Sequence, residues 1–308
     1  MTVPSSATTN LRTHPRTLIL LLLTALMAVS LVSLLIGAGS VGPGRVLALL
    51  FGAQDSEAHF IVWELRAPRT LIGIVVGMAL GVAGALLQAV ARNPLAEPGL
   101  LGVSAGAAFA VALALVLGAS AATLRIAVAQ LGALVGCVCV LSVARFRGVG
   151  NEIRFWVIGS LAGRRLDDLL AVLPSMLVAA MVVILTARPL AALALGERVA
   201  SGLGHHPNLI RWLVVACVAL LVGAATAIAG PIAFVGLVVP FVARAFAGPD
   251  IRRTLLFCLP IGPLIVLAAD IISRVVVAPS ELPLGVLTAL CGAPVLIAVV
   301  RARRLPML

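Results

Sequence analysis

The chain contains no lysine and no tyrosine. Without lysine there is no G-x-x-x-x-G-K-[ST] phosphate loop, so this polypeptide does not itself bind ATP in that way. Charge of either sign is scarce: charged residues make up 11% of the 308, against about a quarter in a soluble domain. Only 11 residues are acidic and all 22 basic ones are arginine, for a net charge of +11. Five cysteines, Cys137, Cys139, Cys217, Cys258 and Cys291, lie in apolar runs. They show neither zinc spacing nor a disulfide framework, which leaves them as small packing residues. The four histidines are His14, His59, His205 and His206. Adjacent residues on a helix point ~100° apart, so His205-His206 reads as a solvent-facing pair and not a metal site. No metal and no cofactor is expected.

What the chain does have is apolar surface, with 62% hydrophobic residues. Surface-to-volume scaling gives a water-soluble protein of this size no way to hide it, so lipid is the fitting solvent. The arginines are scattered between apolar runs and form no single basic patch, which argues against nucleic acid.

Crossing ~30 Å of hydrocarbon takes about 20 helical residues. Nine runs are candidates: 17–38, 70–91, 101–118, 126–144, 169–187, 212–229, 231–247, 254–273 and 284–300. The fold class is all-α, a polytopic transmembrane helical bundle, with residues 1–308 as one domain. The first run follows Arg12 and Arg16 and exceeds the ~7–15 residues of a signal-peptide core, so it reads as an uncleaved span. The run 231–247 is short and interrupted, which predicts a tilted or re-entrant segment. Pro174, Pro260 and Pro263 predict kinks, which neighbouring helices tolerate. Two longer, more polar stretches separate spans: 39–69, with Asp55, Glu57 and His59, and 188–211, read as a helical loop facing water.

Arginine placement orients the spans, because cytoplasmic loops carry the excess of basic residues. With the N-terminus inside, fourteen arginines fall inside, among them Arg92, Arg145, Arg147, Arg188 and Arg244. Five, Arg45, Arg66, Arg69, Arg125 and Arg274, fall outside. Both termini and the 188–211 loop are then cytoplasmic. One conflict remains: residues 145 and 188 share a side, yet only the run 169–187 crosses between them. The apolar piece 155–163 is about half a bilayer long. Either this piece re-enters the membrane or a helix is missing from this interval.

Gly73, Gly77 and Gly81 form a GxxxGxxxG stripe with Gly84 nearby, and Gly102/Gly106 and Gly132/Gly136 repeat the spacing. Small residues so placed let helices approach closely in lipid. Gly102-Val103-Ser104-Ala105-Gly106 matches the nucleophile-elbow pattern. A serine hydrolase needs a base within reach, and every histidine lies outside the spans, so an enzyme acting through Ser104 is disfavoured. Asp270 and Arg274 are four apart on one span, a spacing that lets them pair. The pair is structural, or Asp270 serves a proton or ion relay in a secondary transporter; the absence of other acids within the spans favours the structural pair.

The run RAPRTLIGIVVGMALGVAGALLQAVARNPLAEPGLLGVSAGAA, residues 66–108, resembles the FecCD-type permeases of binding-protein-dependent importers for iron-siderophores, haem and cobalamin. WVIGSLAG at 156–163, LALGE at 193–197, GPIAFVGLVVPFVAR at 230–244 and LAADIISRVVVAPSELPLGVLTALCGAP at 267–294 continue the resemblance in order. It implies two permease copies, identical or paired with a close homologue, enclosing a pathway. ATP-binding-cassette ATPases dock at the cytoplasmic face, and an extracytoplasmic substrate-binding protein delivers the chelate. The resemblance places Arg66, Arg69 and Arg274 against acidic residues of that binding protein. It places Leu195-Gly196-Glu197 through Leu203-Gly204 in the coupling loop that meets the ATPase, and Asn93-Pro94-Leu95 near the inner gate.

The family generally has ten spans, against about nine here, and Arg145-Phe146-Arg147 runs almost directly into Asn151-Glu152-Ile153 where an extra helix is expected. The expected function is a non-enzymatic permease subunit in the plasma (inner) membrane moving ferric-siderophore-type chelates inward. Haem or cobalamin cargo, an ion-coupled secondary transporter, and a shortened non-transporting permease stand as alternatives.

Overall fold

A computed structural model describes residues 15–37, 40–97, 159–278 and 280–301. The runs 101–118 and 126–144, the glycine pairs within them, Ser104, Arg125 and the Arg145–Ile153 junction lie outside the described residues. Among the described residues the regular structure is entirely helical. In order come α1 (Pro15–Leu35), α2 (Pro43–Leu50), α3 (Ser56–Phe60), a π-helical stretch (Ile61–Arg66) and α4 (Ala67–Ala91). After the gap come α5 (Leu166–Ala194), α6 (Glu197–Gly202), α7 (Pro207–Ala229), α8 (Val235–Ala247), α9 (Ile251–Val275) and α10 (Leu284–Arg301). Five helical segments are long and apolar enough to cross a membrane: Arg16–Leu35, Ser56–Ala91, Leu166–Ala194, Pro207–Ala229 and Ile251–Val275. Val235–Ala247 and Leu284–Pro294 are shorter apolar helices. The protein is a multi-pass membrane protein.

α4 is the hub, with 72% of its apolar window buried against 6% for α1. It packs on α9, α7 and α8. The glycine stripe makes this possible. A Cβ at position 77 would lie 2.6 Å from the carbonyl carbon of Gly262 on α9. A Cβ at position 84 would lie 1.8 Å from the Gly236 carbonyl oxygen on α8. The stripe therefore hands α4 from one partner helix to the next, backbone against backbone. Gly81 faces Val239 and Gly73 faces Leu267 and Leu161, which are side-chain contacts.

The run 231–247 is a half-helix. Gly230, at φ 72°, caps α7, and a non-helical stretch leads to Phe234, at φ 65°, before α8 begins. The 13 residues of α8 rise about 20 Å, less than the hydrocarbon thickness. α5 and α9 continue through Pro174, and through Pro260 and Pro263.

The stretch 39–69 is not simply a polar connection. Helix begins at Ser56 and runs unbroken to Ala91, 36 residues. Asp55 caps it, its Oδ1 accepting the Ala58 N–H at 3.0 Å. Ala58 and Val62 then bury one face against Val41 and Val46. The charges of Glu57, Glu64 and Arg66 dilute hydropathy there and mask the helix. Likewise, the first part of 188–211 belongs to α5, because Leu190 and Leu193 stay in the core as far as Ala194. Arg164 and Arg165, absent from the tally of arginines above, precede α5.

Candidate functional site

Polar side chains gather at the two ends of α4, named here for Arg69 and Arg92. At the Arg69 end, Asp270 of α9 is wholly buried and is met by two guanidinium groups. Arg69 donates through Nε and Nη2 to Asp270 Oδ1, at 3.0 and 2.7 Å, and through Nη1 to Glu281 at 2.9 Å. Arg274 donates to Asp270 Oδ2. Arg274 also donates to the Ser33 carbonyl at 2.9 Å, the Ile36 carbonyl at 3.2 Å and Ser33 Oγ at 3.0 Å. Arg66 donates to the carbonyls of Leu34, Leu35 and Val41 at 2.9 to 3.0 Å. A helix leaves its last four carbonyls without internal partners. Two arginines from other elements satisfy those at the end of α1, which buries little apolar surface of its own. Gly37 leaves room for this, since a Cβ there would lie 2.6 Å from Arg66 Nε.

Arg69 and Arg274 thus meet Asp270, and Arg66 joins them in bracing this end of the bundle. All three are buried, at 5, 9 and 2% exposure for Arg66, Arg69 and Arg274. Glu281 is the more open partner, its side chain 28% exposed. Nearby lies an exposed cluster in which Arg45 pairs with Asp55 at 2.8 Å and Glu57 at 2.9 Å. The Arg45 bond holds the Asp55 carboxyl below its ordinary value.

At the Arg92 end, α4 carries Gln88, the lone amide in its apolar run. Gln88 Nε2 donates to the Ala96 carbonyl at 3.3 Å and the Gly236 carbonyl at 3.4 Å, and Gln88 Oε1 accepts from Arg244 of α8. Arg244 is buried, and its Nε and Nη1 have no partner among the described residues. The connection after α4 starts at Arg92, held at φ 49°, whose Nη2 donates to the Leu193 carbonyl at 3.2 Å. Asn93 Oδ1 accepts the Leu95 N–H at 2.9 Å, closing a turn over Asn93-Pro94-Leu95. Glu97 follows; its Oε1 is buried without a hydrogen-bond partner among the described residues. Burial pushes Glu97 up to about 7. Neither Gln88 nor Glu97 stood out in the sequence, although a lone amide in an apolar span was a usable signal.

The loop containing Leu195, Gly196 and Glu197 lies at the same end. Gly196 takes φ 123°, a conformation that favours glycine, and opens α6. Leu195 and Leu203 are 73% and 62% exposed. Glu197 accepts from Arg211, which lowers its pKa. Gly204, at φ 81°, and His205-His206 form the turn into α7.

This arrangement has recognisable relatives. The family model described as the FecCD transport family matches residues 25–152 and 147–302. The chain belongs to the FecCD transport family. It is 41% identical to the ferric enterobactin transport system permease protein FepD of Escherichia coli K12, covering 92% of this chain and 94% of that one. It is 34% identical to the vitamin B12 import system permease protein BtuC of Klebsiella pneumoniae, covering 89% and 91%. Among solved structures it matches one described as an inward-facing conformation of a metal-chelate-type ABC transporter. That match has TM-score 0.73 and 26% identity, over 93% of this chain and 99% of the other.

The FecCD comparison also exposes a gap. The alignment with the Escherichia coli permease has 315 positions, while 92% of 308 residues is about 283, so about 32 positions have no residue in this chain. The two pieces matched by the family model meet at 147–152. A transmembrane helix of about 20 residues with its connections fits a shortfall of that size.

Proposed function

We propose that this FecCD-family chain is the membrane-spanning permease subunit of an ATP-driven importer that carries ferric-siderophore-type chelates into the cytoplasm. The observation that carries the reading is 41% identity, along nearly the whole of both chains, to a permease named for ferric enterobactin. The absence of lysine from the chain agrees, since the nucleotide must then be hydrolysed by partner ATPases. Positive-inside bias puts the Arg92 end and both termini in the cytoplasm. ATPases would dock on Leu195, Gly196, Glu197, Leu203 and Gly204, an extracytoplasmic binding protein would meet the Arg69 end, and a second permease copy would complete the pathway.

For docking by Arg66, Arg69 and Arg274, the internal bonds set the terms. Arg66 and Arg274 are committed to α1 carbonyls, so they brace the surface from beneath. Arg69 sits at the edge and can exchange Glu281 for a partner's carboxylate, as charge-assisted arginine bonds allow. Uptake of radiolabelled ferric siderophore by iron-limited cells with and without the gene tests the main reading. ATP-dependent accumulation is expected only with the gene; equal uptake in both overturns it. A second reading, a shortened permease that assembles without transporting, is favoured by the gap of about 32 alignment positions. Normal assembly with ATPase and no uptake is its expected signature.

A further inference from the structure

Asp270 and Glu281 hold one guanidinium on unequal terms. Asp270 sits on α9 with its side chain fully buried. Its Oδ1 accepts from Nε and Nη2 of Arg69 at 3.0 and 2.7 Å, and its Oδ2 accepts from Arg274. Glu281 lies on the irregular connection between α9 and α10, and its side chain is partly open. Both of its oxygens lie 2.9 Å from a single atom, Arg69 Nη1. The connection has anchors of its own. The Leu282 N–H donates to the Ser273 carbonyl at 3.0 Å, and Ser280 Oγ donates to the Val277 carbonyl at 2.8 Å. Leu284 then enters the core. Glu281 can therefore leave Arg69 by turning its own side chain, whereas Asp270 is fixed by two guanidinium groups at once. The charges divide in the same way. Two cations meet Asp270, which answers one of them, and Glu281 answers the other. When Glu281 turns away, Arg69 presents at its outer edge an Nη1 donor and one positive charge, which is what a single carboxylate requires.

We propose that Glu281 is an internal stand-in: it occupies Arg69 Nη1 in the free permease and gives it up to a carboxylate of an acidic docking protein. This rests on the docking reading of Arg69 given above. Nε and Nη2 of Arg69 are spent on Asp270, so the incoming acid meets Nη1 as Glu281 does. Docking then includes the release of Glu281, which holds affinity below what an unoccupied Arg69 would give. The negative charge of Glu281 also opposes the incoming one. A protein without an acid at this point gains nothing by displacing Glu281, so the exchange selects among docking proteins.

Acetate reads the exchange without any partner protein. The full-length chain carrying Glu281→Ala is solubilised in detergent at neutral pH, and acetate replaces chloride at constant ionic strength. Acetate at about 0.3 M is expected to raise the unfolding midpoint of Glu281→Ala about 2 °C more than that of wild type. Equal shifts in variant and wild type overturn the proposal. Glu281→Gln provides the second measurement. It keeps the shape of the side chain, weakens the hold on Nη1 and removes the opposing charge. It is expected to bind the extracytoplasmic binding protein about three- to tenfold more tightly than wild type does. Affinity equal to or below wild type overturns the proposal. Arg69→Gln separates this outcome from failure of the docking reading. If Arg69→Gln weakens binding while Glu281→Gln changes nothing, Arg69 docks a partner and the stand-in role alone falls. If neither changes binding, both fall.

Discussion

Arg274 of α9 fastens the end of α1 across 241 positions of sequence, donating to the Ser33 carbonyl at 2.9 Å while also donating to Asp270 four residues back. Its fork serves an acid, a hydroxyl and two carbonyls at once. A lysine has one nitrogen and cannot reach all of them. Arg274→Lys is expected to loosen α1 while keeping charge. Arg274→Ala removes one of two cations from a buried carboxylate, a change that costs about 3–5 kcal/mol where a buried pair is broken. Detergent-solubilised thermal unfolding should rank wild type above Arg274→Lys above Arg274→Ala. Equal stability of wild type and the lysine variant would contradict the clamp.

The glycines of α4 differ in what they face, and substitution should separate them. Gly77 meets the Gly262 and Pro263 backbone, which cannot move without shifting α9. Gly73 meets Leu267 Cδ2 at 2.8 Å and Leu161 Cδ1 at 3.3 Å, both ends of flexible side chains. Overpacking a tight core costs typically about 1–3 kcal/mol. Gly77→Ala is expected to reach that range and Gly73→Ala to fall well below it, read as the difference in unfolding midpoint. A larger loss at position 73 would contradict the packing described.

These two sites mark how far the sequence reaches. The four-residue spacing of Asp270 and Arg274 makes their pairing legible, and the glycine spacing makes close packing legible. Arg69, the second cation on Asp270, is 201 positions away, and no local pattern joins them. The same limit hides the partners of the glycine stripe, Gly262 and Gly236. Arg66 and Arg274 carry a docking expectation through family resemblance, yet the carbonyls they cap belong to α1 and become visible only in three dimensions. Helix from Ser56 to Arg66 escaped because alternating charge lowers hydropathy without disturbing the stripe of Ala58 and Val62.

Glu97 gives stability a pH dependence of definite sign. Its folded value, about 7, lies above the ordinary 4.5, so the folded chain binds more protons between these values. The protonated carboxyl suits the buried site, and stability is greatest below about pH 4.5. The contribution of this one carboxyl declines as pH rises through the interval and is fully lost above about 7. A shift of this size corresponds to about 3 kcal/mol. Glu97→Gln cannot ionise, so the difference in unfolding midpoint between it and wild type should grow from about pH 4.5 to 7 and then level off. A difference that shrinks with rising pH would contradict the burial of this carboxyl.

Leu195 and Leu203 bracket α6 outside the spans, where lipid does not cover them, and both present more than half of their surface. Both are therefore open to a docking partner, the role proposed for this loop above. Neither packs in the core, so charge at either position should leave the bundle intact. Leu195→Asp and Leu203→Asp are each expected to lower co-purification of the partner ATPase at least tenfold, with the double variant losing it altogether. Unfolding midpoints should stay within about a degree or two of wild type, since surface changes away from special features usually cost under about 0.5 kcal/mol. Gly196→Val acts differently, because a β-branched residue is strained at φ 123° and would disturb the turn itself. It should lose both ATPase binding and some stability. Undiminished ATPase recovery with the double leucine variant would remove this loop from the interface.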